Sequence, residues 1–283
     1  MQRLNAPAPS ARISYTTCIG RVRNAALAAR LAAAADTVIA ASREFDREAR
    51  RGRLDRIAAH RTVAPDVTKE EMEKVYTQRM AKVGAPGREI YDEIFAAPPG
   101  GRCPLCVQRS VATLDHHLPK ALFPALAVAP LNLVPACSDC NKAKLDAAPV
   151  TAGDVPLHPY YDDLGDAAWL VGTVVEARPA AVRFTVERPA SWSDTLNARV
   201  ANHFRTLGLG RLFASEAADE LVNIRHQLAV LHGIDPEDAV RDELERRAES
   251  AAAVRTNGWR AATYRAWHGS DWFCEGGFQH TGR

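Results

Sequence analysis

Two Cys-x-x-Cys pairs, Cys103/Cys106 and Cys137/Cys140, bracket a group of residues whose side chains suit hydrolysis: Asp115, His116, His117 and Asn132, with Asn141 and Lys144 following directly. A tight turn carrying two thiolates offers half of a tetrahedral shell, so two such turns suit one structural Zn2+; a single pair would be weak evidence and two are strong. Asp115 and Asn141 supply a carboxylate and an amide oxygen. These hard ligands, completed by water or phosphate, favour Mg2+ or Mn2+ over zinc. Two different metals are therefore expected. His116 is the expected general base, because an imidazole near its ordinary pKa of about 6.5 takes a proton from water at neutral pH. A divalent cation beside it would polarise a phosphate and stabilise the departing 3′ oxygen. The chemistry these residues fit is metal-assisted cleavage of a phosphodiester.

The arrangement resembles the HNH endonuclease family, whose pattern is Asp-His-x-x-Pro on one strand, Asn-Leu opening the next, then Cys-x-x-Cys with His or Asn, and a Lys shortly after. Asp115, His116 and Pro119, Asn132 and Leu133, Cys137 and Cys140, and Asn141 and Lys144 stand at those positions. The resemblance is confined to Cys103–Lys144. It implies a ββα-metal unit, DNA as substrate with RNA left open, and Asn132 as the residue that supports the loop carrying the base. By analogy alone it suggests defence against phage or mobile DNA. Asn141 replaces the family's name-giving third His, a substitution that moves the active site away from zinc. In one subgroup the first of two adjacent His residues binds metal and the second is the base, which would make His116 a ligand and His117 catalytic. The register that also aligns Asn132 and Asn141 favours His116. A reading of another class is a zinc-stabilised nucleic-acid-binding or adaptor protein in which the same residues are structural.

Positioning these groups requires a strand over Ala112–Asp115, an antiparallel partner over Leu131–Ala136 and a helix from Cys140 to Ala147 capped by Ser138 or Asp139. The breaker cluster Ala97-Pro-Pro-Gly-Gly-Arg102 delivers the chain to the first thiolate turn. The expected organisation is a helical region over 1–97, an HNH unit over 98–150, and a C-terminal region over 151–283. Before the motif, a loose polar tail reaches Ser14 and a helix covers Arg21–Ala59 with Gly52 as its weak point. Thr68 and Glu71 then form a capping box opening a helix to Val83, and another helix spans Gly87–Phe95. After the motif come a β-hairpin around Arg178-Pro179 and helices over Trp192–Leu207, Leu212–His232 and Pro236–His268. Leu221, Ile224, Leu228 and Leu231 form a core or dimer stripe. The fold class is α+β, mostly helical.

A chain of 283 residues with 47% hydrophobic and 25% charged residues can fill a core and is not disordered. Of six cysteines, four belong to the motif, so a disulfide framework is excluded and a reducing cytoplasm fits best. The sequence suggests no signal peptide and no membrane span. The net charge of +2 conceals an asymmetry: residues 1–97 hold 17 basic against 12 acidic groups, and residues 151–283 hold 14 against 19. The N-terminal region is thus the expected contributor to nucleic-acid contact. The densest run, Arg43 to Arg56, is interleaved with acids at helical spacing and reads as a solvated face. The acidic C-terminal helices are expected to support the fold or to mediate a homodimer or partner contact. Trp259, Trp267, Trp272 and Phe273 could stack on bases, but in a terminal helix they read as core.

Overall fold

The computed structural model describes residues 1–283 except 65, 145–147, 236–237 and 281–283. It forms two compact units, Met1–Asp163 and Leu164–Arg283. The class is α+β and mostly helical, with three small antiparallel two-stranded sheets among the described residues.

The first unit opens with residues that sequence reasoning left loose. Leu4 is buried, Gln2 N–H donates to Pro104 O at 2.7 Å and Leu4 N–H to Pro159 O at 2.9 Å. Helix α1 (Ala11–Ile19) starts at a Ser10 cap and buries Ser14, Tyr15 and Cys18. The alternation of small and apolar residues there was masked by the prolines before it. The helix expected over Arg21–Ala59 is two: α2 (Ala25–Ala33), capped by Asn24, and α3 (Ala35–Arg50), meeting at a bend of 42°. The bend lets α3 bury Val38, Ser42, Phe45 and Ala49 on one stripe, and the helix stops just before Gly52, whose φ is +64°.

A hairpin of β1 (Thr62–Val63) and β2 (Val67–Thr68) leads into α4 (Lys69–Arg79). The Thr68/Glu71 capping box is formed, and Met72, Val75 and Tyr76 face inward. Helix α5 (Arg88–Ala96) follows Gly87, where a Cβ would lie 2.5 Å from Cys18 Sγ; only glycine lets α1 come this close. Strands β3 (Thr113–His116) and β4 (Leu133–Ala136) pair antiparallel, with Asp115 opposite Val134 and His116 opposite Leu133. Helix α6 (Ser138–Lys144) completes the strand, strand, helix order; the expected continuation through 145–147 lies outside the described residues.

The core beneath the motif combines Tyr15, Val38, Met72, Val75, Tyr76, Ile90 and Ile94 with Leu114 and Leu133. The expected division at 97/98 therefore separates residues that share one apolar core. The reason is size: two four-residue strands and a short helix bury too little surface alone, so the preceding helices supply the rest.

In the second unit, β5 (Leu170–Val175) and β6 (Ala181–Val186) form the expected hairpin, followed by α7 (Asp194–Thr206) and α8 (Leu209–Ile234). Leu221, Ile224 and Leu228 of the expected stripe are buried and Leu231 is half-buried. The helix expected over Pro236–His268 is divided into α9 (Ala239–Val254) and α10 (Trp259–His268), with α11 (Asp271–Cys274) beyond; its start at Pro236 lies outside the described residues. Helix α10 packs on β5 at Gly172, where a Cβ would come within 2.8 Å of Ala262 O. Trp259, Trp267 and Phe273 are core, the last two stacked with centroids 5.0 Å apart, whereas Trp272 of the expected set is only half-buried. No single helix among the described residues is long and apolar enough to cross a membrane; the bent pair α2/α3 passes that test only jointly and buries Leu31, Val38 and Phe45.

Candidate functional site

The four motif cysteines converge. Their sulfurs all lie within 4.8 Å of one another, each residue is buried, and Cys106 and Cys137 Sγ are 4.0 Å apart. Four sulfurs about 2.3 Å from one tetrahedral zinc would stand roughly 3.8 Å apart, so the set can hold a metal ion with little adjustment. Each turn is built locally. In the first, Val107 takes a φ of +61°, its N–H donates to Cys103 O at 2.7 Å, and Cys103 N–H donates to Arg109 O. In the second, Cys140 N–H points at Cys137 Sγ at 3.4 Å from the first turn of α6. Arg109 ties the two turns together through Asp139, 2.9 Å away.

Beside this cluster a cleft of about 490 Å3 is lined by Asp115 and His116 from β3, Lys120 from the loop after β3, Asn141 and Lys142 from α6, and Tyr76 from α4. Asp115, His116 and Asn141, expected to act together, share this cleft. His117 is not among its lining residues. Strand β3 ends at His116, so the alternation of sides expected along an extended strand stops there. His117 packs instead against His158, with ring centroids 4.2 Å apart, and edge-on to Phe45. His158 sits with Nε2 3.0 Å from Leu131 O and Nδ1 accepting from Tyr160 N–H. It braces the approach to β4.

His116 is buried, and its Nε2 lies 2.8 Å from the carbonyl oxygen of Ala127. A carbonyl only accepts, so Nε2 carries the hydrogen and the neutral ring keeps its lone pair on Nδ1. Burial pushes the pKa down to about 3; the bond to Ala127 opposes this and Lys120 and Lys144 add to it. The neutral form, the one a base needs, is thereby favoured over the ring near 6.5 expected from sequence, while its proton affinity is lowered.

Asn132 is fully buried and lies outside the cleft lining. Its Oδ1 accepts from Leu118 N–H at 2.7 Å, and its Nδ2 donates to Leu118 O at 3.0 Å and Leu126 O at 3.2 Å. These bonds staple both ends of the loop that presents Ala127 to His116. Lys144, at the Lys position of the family pattern, is drawn inward: its ammonium lies 2.7 Å from Asp115 Oδ2, and its side chain is 8% exposed.

Tyr76 had no signal in the motif, because its spacing from Met72 reads as core. It is core on one side, and its ring stands edge-on to His116 with centroids 4.4 Å apart. Its hydroxyl donates to Leu114 O at 3.2 Å, so α4 holds the strand that carries the site. The arginine run on α3 pairs as its acidic neighbours suggested: Glu48 gathers Arg47, Arg51 and Arg53, and Asp46 holds Arg50 at 3.0 Å.

Comparison with known proteins places one relative beside this chain. Protein ea31 of Escherichia phage lambda is 32% identical over 166 residues, which are 57% of this chain and 56% of that protein. The chain thus spans about half the length of the curated relative it matches. No protein-family model matches, and no solved structure matches.

Proposed function

We propose that the chain is an HNH-type endonuclease that hydrolyses phosphodiester bonds in DNA with one divalent cation. The observation that carries this reading is the cleft in which His116, its Nε2 bonded to Ala127 O, stands beside Asp115 and Asn141. Asp115 and Asn141 would hold Mg2+ or Mn2+ through oxygen, and the four cysteines would hold a structural zinc. A cation held there would supply Lewis-acid chemistry to the phosphate. His116 Nδ1 takes the proton of the attacking water, Asn132 keeps the loop that orients His116, and Lys120 and Lys142 offer charge to the phosphate backbone. RNA stands as the second substrate to assay. The reading fits a cytoplasmic enzyme, and the phage origin of one relative connects it with mobile DNA, the setting in which a defence role would operate. Self-association or a partner protein through the C-terminal helices belongs to the same proposal: α8 leaves Val222, Val230 and Ile234 exposed.

A second reading, a zinc-stabilised binding or adaptor module, draws on one observation: Lys144 is already paired with the carboxylate expected to bind the cation. Nicking of plasmid DNA with Mg2+ or Mn2+ by the wild type, lost in His116→Ala, separates the two.

A further inference from the structure

The ammonium group of Lys144 meets three oxygens: Asp115 Oδ2 at 2.7 Å, His117 O at 3.0 Å and His116 O. An ammonium has three hydrogens and no acceptor, so these contacts use it fully. It is therefore a fixed charge behind Asp115, whereas Lys120 and Lys142 line the cleft. Among the described residues the cleft lining contains one carboxylate, Asp115, against those two lysines, and Lys144 offsets that carboxylate once more. A doubly charged ion gains from the negative charge of its ligands and loses from cations nearby. The surroundings it would meet here are net positive, and the phosphates of a bound nucleic acid offset that charge.

We propose that Lys144 is a built-in counter-ion to Asp115 that makes divalent-cation binding conditional on the phosphodiester substrate. Nucleic acid enters first, met by Lys120 and Lys142, and its phosphate oxygen supplies the charge that lets the cation bind beside Asp115 and Asn141. By linkage, the cation strengthens nucleic-acid binding by the same factor. This inference rests on the nuclease reading.

The test measures Mn2+ binding, from the electron paramagnetic resonance of free Mn2+, to the full zinc-loaded chain carrying His116→Ala, alone and with a short DNA duplex that the wild type cuts. DNA is expected to tighten Mn2+ binding by about tenfold or more, within the ordinary range of coupling between sites. On that background Lys144→Met should tighten Mn2+ binding without DNA by a similar factor and shrink the gain from DNA, whereas Lys144→Arg, which keeps the charge, should preserve the gain. Equal Mn2+ affinity with and without DNA in the His116→Ala protein, which retains Lys144, overturns the proposal and needs no substitution at Lys144. So does a Lys144→Met protein that binds Mn2+ no more tightly than its parent. If the wild type nicks DNA yet Mn2+ binding is independent of DNA, the nuclease reading stands and only the counter-ion role is lost. If the wild type cuts no nucleic acid with any divalent cation, both fall.

Discussion

The Nε2 atom of His116 and the carbonyl oxygen of Ala127 are 2.8 Å apart, and this bond settles which ring nitrogen can accept a proton. Because the hydrogen is committed to Ala127, Nδ1 is the basic atom, and the orientation of the ring depends on a loop eleven positions further along the chain. His116→Ala is expected to slow cleavage by about 10² to 10⁴ while leaving the fold and the zinc content unchanged. His117→Ala should instead lower stability, by opening space beside His158 and Phe45, and leave the chemical step largely in place. Single-turnover rates and thermal unfolding of both variants check this pair. Loss of the chemical step in His117→Ala with its retention in His116→Ala would exchange their roles.

Asn132 is predicted to act through position. Asn132→Ala leaves Leu118 N–H and Leu118 O without their buried partner, each costing about 1–3 kcal/mol when orphaned, whereas Leu126 O keeps its bond from Ala129 N–H. Both stability and cleavage rate should fall. Asn132→Asp keeps the acceptor for Leu118 N–H but sets a buried carboxylate oxygen against Leu118 O and Leu126 O, so it should be destabilised as well in chemical denaturation; a variant as stable as the wild type would contradict the stapling role.

The parts of this site legible in the sequence were those written in local spacing. Two tight turns bring four sulfurs together almost without regard to the rest of the fold, and Asp115, His116 and Asn141 follow from the strand, strand, helix order that the motif implies. What supports the site came from a distance. Tyr76 looked like one more apolar residue of α4, and nothing in Lys144 itself announced that Asp115 would hold it. The tail before Ala11 read as loose because its anchors, Pro104 and Pro159, are backbone carbonyls that leave no mark in composition. The break at Ala34 was missed for a related reason: alanine is a strong helix former, and the bend arises from packing demanded by α3.

Tyr76 gives a third prediction. Tyr76→Phe keeps the ring against His116 and loses only the bond to Leu114 O, so a loss of about 1 kcal/mol is expected. Tyr76→Ala removes a buried ring and should cost about 3–5 kcal/mol, with a further fall in activity as His116 loses its neighbour. Equal stability of the two variants in urea titration would show that the ring contributes nothing.

The cysteine cluster should contain about one zinc per chain by elemental analysis. Cys103→Ser or Cys140→Ser should lower the folded yield, because metal binding and folding of so small a unit are linked. Thiolates bind the ion and protons compete for them, so zinc retention falls as pH is lowered. Zinc-free protein that unfolds at the same temperature as the zinc-loaded form would refute the structural role.

Lys120 and Lys142 are the cleft cations left to meet a phosphate backbone, whereas Arg47, Arg50 and Arg51 are occupied by Glu44, Asp46 and Glu48. Replacing both lysines by Ala should reduce the slope of log affinity against log salt by about 2 for duplex DNA. The triple arginine-to-alanine variant should change it less. A larger change in the arginine variant would move the contact surface to α3, where the N-terminal charge excess first pointed.

The cleft around His116 is expected to cut phosphodiester bonds, and conversion of supercoiled plasmid to nicked or linear DNA measures this directly. Purified wild type is expected to cleave in Mg2+ or Mn2+, to stop on addition of EDTA, and to lose cleavage in His116→Ala prepared in parallel with equal zinc content. Cleavage that persists undiminished in His116→Ala, or its absence in the wild type with every divalent cation and with RNA as well, would overturn the nuclease assignment.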